Sequence, residues 1–334
     1  MNRARVWVAL SVGLLAVAAA ACGGSSSKSA TKHINLVAYS TPETSYAKLI
    51  PAFQATAAGK GVSFSQSYGS SGAQSRAVLA GQPADVVHFA LEPDMAKLVD
   101  AKIVPASWDS NPYGGIVADS LVVFVVRKGN PKHIQSWSDL VKPGVKVITP
   151  NPFTSGSSRW NIMAAYGAQL KMGKTPAQAV AYLSQLFHNV PVQPDKASAA
   201  MTTFTGGEGD VLLSYEQDAI LAKQSGAPIQ IVIPQQTILV QTPLAATAKA
   251  SAPAKAFVKW MWSTQAQTIL GQTGYRPVVP SVAAKFASTY PTPAQLFDIS
   301  YVGGWSQVAT KFFDPTSSVM ATIEKSLGVS TSSG

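Results

Sequence analysis

The chain has 334 residues, 46% hydrophobic and 13% charged, a balance that excludes a disordered solvating polymer and suffices for two domains with their own cores. The formal charge is +10; setting Arg3 and Arg5 aside leaves 24 basic against 16 acidic residues, a balance of +8. The lysines are scattered, without the basic run or aromatic-rich motif of a nucleic-acid face, so no nucleic-acid partner is expected.

Met1-Asn2-Arg3-Ala4-Arg5 is a positive start, and residues 6–18 form an apolar stretch short for a membrane span. Small residues then precede Cys22, the only cysteine. The pattern resembles a bacterial lipoprotein signal: residues 1–21 are removed, Cys22 carries the lipid, and residues 22–32 form a Ser-rich tether. The alternative is an ordinary secretory leader with a stray cysteine. Either way the chain is exported, and a lone cysteine forms no internal disulfide, so the core must hold the fold.

From residue 34 the pattern alternates strand and helix. Residues 34–39 read as a strand, then the turn Ser40-Thr41-Pro42-Glu43 and a helix over 45–58. A strand over 62–67 leads through Tyr68-Gly69-Ser70-Ser71-Gly72 into a helix over 73–80. A strand over 84–90 and a helix over 94–101 follow. Residues 121–126 are the most apolar strand of the folded part, and 145–149 form another. The latter leads through Pro150-Asn151-Pro152-Phe153-Thr154-Ser155-Gly156-Ser157-Ser158 into helices over 159–171 and 176–187. Strands over 211–215 and 229–233 come next; 238–244 returns the chain to the first block, where helices over 253–263 and 264–271 close it. Such alternation predicts an α/β fold with mixed, mostly parallel sheets and helices on both faces. The expected lobes are 33–120 plus 238–328, and 121–237.

The two Ser/Gly turns share one design. Each sits where a strand gives way to a helix, whose first N–H groups lack internal acceptors and stand at the positive end of the helix dipole. That makes an anion site; ordinary Ser capping would produce the same residues.

Several motifs together resemble the sulfate- and thiosulfate-binding proteins of ABC importers. They are Gln66-Ser67-Tyr68-Gly69-Ser70-Ser71-Gly72-Ala73-Gln74, Val125-Val126-Arg127-Lys128-Gly129-Asn130-Pro131-Lys132, Val147-Ile148-Thr149-Pro150-Asn151-Pro152, Ser155-Gly156-Ser157-Ser158-Arg159-Trp160-Asn161, Gly209-Asp210-Val211-Leu212-Leu213-Ser214-Tyr215-Glu216 and Tyr275-Arg276-Pro277. They occur in matching order between Ile34 and Asp314. The resemblance implies a two-lobed type II periplasmic-binding-protein fold with the ligand in the interlobe cleft, and a monomeric, lipid-anchored receptor on the outer face of the cytoplasmic membrane. It implies sulfate or thiosulfate as ligand, a membrane permease as partner, and no cofactor. Carried over, the ligand-binding residues are Ser40 by its amide, Ser71 by hydroxyl and amide, Gly156 and Ser157 by two amides, Ala197 by an amide, and Tyr215. Tyr215 stands where sulfate-specific members have Trp, which leaves the choice between sulfate and thiosulfate open.

The physics of the turns agrees with a fully ionised oxyanion. Sulfate has no proton to donate at neutral pH, whereas phosphate carries one and needs a carboxylate acceptor in a desolvated pocket. Neither Ser/Gly turn contains Asp or Glu. Molybdate or phosphate is the alternative within binding. Outside it, an exported hydrolase would use Ser71, but that needs a His base, and Gly69-Ser70-Ser71-Gly72 is one residue short of a nucleophile elbow. His33, His88, His133 and His188 form no close metal-ligand pair. His88 reads as a core residue, Asp210 as a turn former, Glu216 as facing solvent or hinge. Arg159 reads as balancing the anion's charge or forming an outward ion pair. The expectation is a binding protein, not an enzyme.

Overall fold

Two long strands carry the architecture of the computed structural model, which describes residues 32–332. The leader, Cys22 and residues 22–31 of the tether lie outside the described residues. In chain order the strands are β1 (His33–Tyr39), β2 (Ser63–Gly69), β3 (Val86–His88), β4 (Ile116–Arg127), β5 (Val147–Ile148), β6 (Val211–Tyr215), β7 (Ile229–Val232), β8 (Gln236–Ala246), β9 (Arg276–Pro277) and β10 (Gln295–Phe297). The helices are α1 (Glu43–Gln54), α2 (Ser71–Leu79), α3 (Glu92–Asp100), α4 (Gly156–Lys171), α5 (Pro176–His188), α6 (Ala197–Thr205), α7 (Glu216–Gln224), α8 (Ala252–Trp260), α9 (Thr264–Gln272), α10 (Pro280–Ala283), α11 (Gly304–Phe313) and α12 (Val319–Ser326).

The sheet path is β2-β1-β3-β8-β4-β6-β5. Pairs at its flanks are parallel, β1 with β2 and β3, and β5 with β6. The centre is antiparallel because β4 and β8 run across it in opposite directions. β4 pairs with β8 as far as Leu121 and with β6 from Val122, so it changes partners between these two residues. The run Leu121-Val122-Val123-Phe124-Val125-Val126 is wholly buried, as expected of a strand covered on both faces.

Side chains divide into cores on either side of that crossing. One holds Ile34, Leu36, Tyr46, Phe53, Phe257 and Leu270, with Val37, Phe89 and Met95 beneath α2 and α3. The other holds Phe124, Trp137, Trp160, Leu183 and Leu213. Phe297, Trp305, Phe312 and Met320 belong to this second core. The chain from Phe297 therefore packs on the block built from 121–237, although sequence order groups 238–328 with the first. The apolar stripes of α11 and α12 announce burial but not which block they cover.

Two anchors position the helices that matter below. The Arg127 guanidinium, at the end of β4, donates to the carbonyls of Phe204 (2.7 Å), Glu208 (2.7 Å) and Gly209 (2.8 Å), tying the end of α6 to the turn before β6. Asn161 Nδ2 donates to Leu213 O and Thr149 Oγ1, both at 3.0 Å, fixing α4 against β6.

Candidate functional site

Three helices begin at one small pocket. Its wall is made by Tyr39, Ser40, Gly69, Ser70, Ser71, Ala90, Ser155, Gly156, Ser157, Lys196 and Ala197. Ser70, Ser155 and Lys196 are the N-cap residues of α2, α4 and α6, and each has extended backbone, so the following turn directs its first amides inward. A negative ligand here meets three helix-dipole ends at once. The wall contains no carboxylate, and Lys196 is its one cationic residue.

Five of the six ligand-binding residues expected from sequence line this pocket: Ser40, Ser71, Gly156, Ser157 and Ala197. Tyr215 does not. It ends β6 as the N-cap of α7, is fully buried, and its hydroxyl has no hydrogen-bond partner. Burial pushes that hydroxyl's pKa well up, and the charges of Tyr39, Asp218 and Asp94 push the same way, so it stays protonated as a donor. A buried polar group without a partner is rare enough to need an explanation, and a ligand acceptor supplies one.

Ser71 differs from the expectation. Its Oγ donates to Asp94 Oδ2 at 2.7 Å and accepts from the amide of Ala90 at 3.0 Å. The hydroxyl hydrogen is thus committed to a buried carboxylate, itself paired with Lys97 at 3.1 Å. What Ser71 presents to the pocket is its backbone N–H. Asp94, invisible to a search of the two turns, stands behind the wall and not in it.

Ser155 was missed by the sequence reading, although it sits in the quoted motif. It is 3% exposed, occupies the N-cap position of α4 without a side-chain capping bond, and its Oγ lies 2.9 Å from Ser157 Oγ. The available signal was its position immediately before the helix, where Ser is a favoured cap. The pair can share one hydrogen and turn the other toward a ligand. Gly156 is required by space: a Cβ there would lie 2.9 Å from Ala90 Cβ and 3.0 Å from Leu91 Cδ2. Its absence lets α4 approach the chain after β3, where Trp160 Nε1 donates to Ala90 O at 2.7 Å.

The remaining candidates are occupied elsewhere. His88 is wholly buried, with Tyr46 OH at 2.8 Å and Thr242 Oγ1 at 3.3 Å, and burial lowers its pKa to about 3. It is a neutral core residue. Asp210 Oδ2 accepts from the amide of Lys146 at 2.9 Å and orders its turn. Glu216 is buried and paired with Arg276 at 2.6 Å, a fixed tie to β9 and not a free base. Arg159, read as balancing the anion's charge or as forming an outward ion pair, donates from Nε to Pro152 O at 2.9 Å and lies over the Phe313 ring, so in place of the outward pair it braces its own turn. A larger hollow, about 540 Å³, lies away from these helix starts between Trp108, Tyr113 and Trp262. The smaller pocket is the better match to an anion because three helix starts meet at its wall.

Comparison with known proteins points the same way. Residues 34–276 match the family described as bacterial extracellular solute-binding protein. A sulfate-binding protein of Synechococcus elongatus is 37% identical over 88% of this chain and 89% of its own length. A thiosulfate-binding protein of Pseudomonas aeruginosa is 35% identical, over 83% and 88% respectively. Among solved structures, the sulfate-binding protein SubI from Mycobacterium tuberculosis H37Rv superposes with a TM-score of 0.82 at 44% identity, covering 85% of this chain and all of that one. The substrate-binding protein of an Agrobacterium tumefaciens ABC transporter, at 15% identity and a TM-score of 0.67, shares the fold.

Proposed function

The chain belongs to the bacterial extracellular solute-binding proteins, and we propose on that premise that the pocket at the three helix starts is its ligand site. The protein is an exported receptor that captures sulfate or thiosulfate and delivers it to an ABC import permease, on a two-lobed α/β periplasmic-binding-protein fold. The observation that carries the site is the convergence of α2, α4 and α6 on a wall without a carboxylate.

The amides of Ser40, Ser71, Gly156, Ser157 and Ala197 and a hydroxyl from the Ser155–Ser157 pair donate to the anion. We assign Tyr215 OH, buried and unpartnered though not part of that wall, as a further donor. Every one of these donors is neutral, so with Lys196 as the wall's one cation the dianion's charge is met mainly by fixed dipoles that need little reorganisation. A donor-only wall satisfies an ion with no proton. Hydrogen phosphate finds no carboxylate there and must place its O–H on a serine hydroxyl otherwise used as a donor, a poorer arrangement for a buried group.

The block built from 33–120 and the returning strand, and the block built from 121–237 with the chain from Phe297, act as the two lobes. They exchange partners where β4 and β8 cross. Binding, not catalysis, is the role: the Ser71 hydroxyl is held between Asp94 and the Ala90 amide with no histidine against it, so the His base that a serine hydrolase would use there is not in place. We assign Cys22 as the lipid anchor, residues 22–32 as its tether, and a monomer as the working unit.

Calorimetric titration of residues 32–334 with sulfate, thiosulfate, molybdate and phosphate tests the reading. Saturable binding of sulfate or thiosulfate with phosphate inert is expected. Phosphate bound as tightly as sulfate would overturn the donor-only pocket.

A further inference from the structure

The hollow of about 540 Å³ is walled by α8, the end of β8 and the chain that leads into β4. Lys255, Val258, Lys259 and Trp262 all line it, and their spacing places them on one face of α8 and its exit. Leu244 and Ala246 line it from β8, and Trp108 and Tyr113 from the chain before β4.

These walls are fixed by the fold. Trp262 Nε1 donates to Ile116 O at 2.8 Å. Trp108 packs on Gly115 so closely that a Cβ there would lie 2.3 Å from its Cζ3. Asn111 Oδ1 accepts from the amides of Tyr113 (2.8 Å) and Gly115 (3.2 Å), which pins the turn that carries Tyr113. Three aromatic side chains therefore stand ready around a space within the usual range for small-molecule sites.

The polar groups of the wall lean one way. No carboxylate lines the hollow. Lys255 and Lys259 are exposed, and neither has an ion pair among the described residues. Four residues apart on one helix, their like charges repel each other. Trp108 Nε1, Asn111 Nδ2 and Tyr113 OH can each donate; none has a hydrogen-bond partner among the described residues, and none is buried out of reach.

We infer that this hollow binds an aromatic oxyanion, its ring among Trp108, Tyr113 and Trp262 and its carboxylate or sulfonate group beside Lys255 and Lys259. Charge complementarity selects the anion, which relieves the repulsion between the two ammonium groups. The aromatic walls select a flat body that can stack or meet them edge to face. No residue lining this hollow lines the pocket at the three helix starts, so the two sites fill independently.

2-Naphthoate and naphthalene-2-sulfonate, with 2-naphthamide as their uncharged counterpart, test the proposal in calorimetric titrations of residues 32–334 with and without excess sulfate. Saturable 1:1 binding of one or both anions is expected, unchanged by sulfate, with the amide bound at least about fivefold more weakly. The double substitution Lys255→Gln, Lys259→Gln should bring the anions down to the level of the amide. Val258→Trp, which fills the hollow and leaves both lysines intact, should abolish binding of all three. No saturable binding of either anion overturns the assignment, as does equal binding of the amide, displacement by sulfate, or binding unchanged in Val258→Trp.

Discussion

The hydroxyl of Ser71 donates to the carboxylate of Asp94 at 2.7 Å, and this bond decides what Ser71 can offer a ligand. A negative charge placed beside an anion site would ordinarily repel the ligand. Here it is capped by Ser71 Oγ and Lys97 Nζ, so the pocket meets an amide and not a carboxylate. The same hydroxyl oxygen accepts from Ala90, whose carbonyl takes the Trp160 indole, which links the start of α2 to α4.

Ser71→Ala should therefore lower stability more than affinity. It removes the partner of a buried carboxylate and of a buried amide, a cost of about 1–3 kcal/mol, yet leaves the donating N–H in place. Ser71→Asp, by contrast, should abolish sulfate binding by putting a second buried charge against the ligand. Denaturant melts beside sulfate titrations separate the two effects; a Ser71→Ala protein of normal stability with lost affinity would return the hydroxyl to the ligand.

Tyr215→Phe reverses that pattern. The hydroxyl has no protein partner, so the fold loses nothing and the melting temperature holds or rises. Sulfate affinity should fall by about 1–3 kcal/mol, the value of a buried donor to a charged acceptor. Unchanged affinity would leave Tyr215 as a packing residue of β6.

Gly156→Ala tests whether close approach of α4 shapes the site. The new methyl meets Ala90 and Leu91 at about 3 Å, so the two chain segments must separate. Sulfate affinity should drop at least about tenfold, on the scale of one lost charge-assisted hydrogen bond. Full retention would show that the turns need not be this close.

Asp218 gives a pH dependence with a definite sign. It accepts from Thr41 Oγ1 at 3.2 Å, and burial raises its carboxyl from 3.8 to about 7. Between about pH 4 and 7 the folded protein holds this proton and the unfolded chain does not, so stability falls as pH rises through that window and levels off above it. Asp218→Asn removes the dependence. Its stability relative to the parent should thus increase from pH 5 to pH 8, measured as a difference in unfolding free energy. Comparison within a pair cancels His88, whose depressed pKa works in the opposite direction. A difference that stays constant with pH would show Asp218 to be ionised and solvated throughout.

The strands and the two Ser/Gly turns were legible because their signals are local. The apolar run at 121–126 and the switch from alternating to helical spacing at Ser70 and Ser155 lie within a few residues. Less was legible wherever the determining contact is distant in sequence. Asp94 meets Ser71 across 23 residues and Trp160 meets Ala90 across 70, and neither pairing leaves a mark on its own segment. The α6 helix left no such local signal, since its start at Lys196-Ala197 lacks a Ser or Gly cap and its far end is held by the Arg127 anchor from another strand. Helices α11 and α12 show amphipathic spacing, but their partner block is set by packing around Trp160 and Trp305, whose rings meet edge to face at 4.7 Å.

The central claim is that backbone amides at three helix starts hold the anion, and amide-resolved NMR of residues 32–334 during a sulfate titration reads it directly. The account predicts that the N–H signals of Ser71, Gly156, Ser157 and Ala197 shift downfield together, as amides do on gaining a charged acceptor, and saturate with one equivalent. Sulfate binding with those four signals unmoved would contradict it.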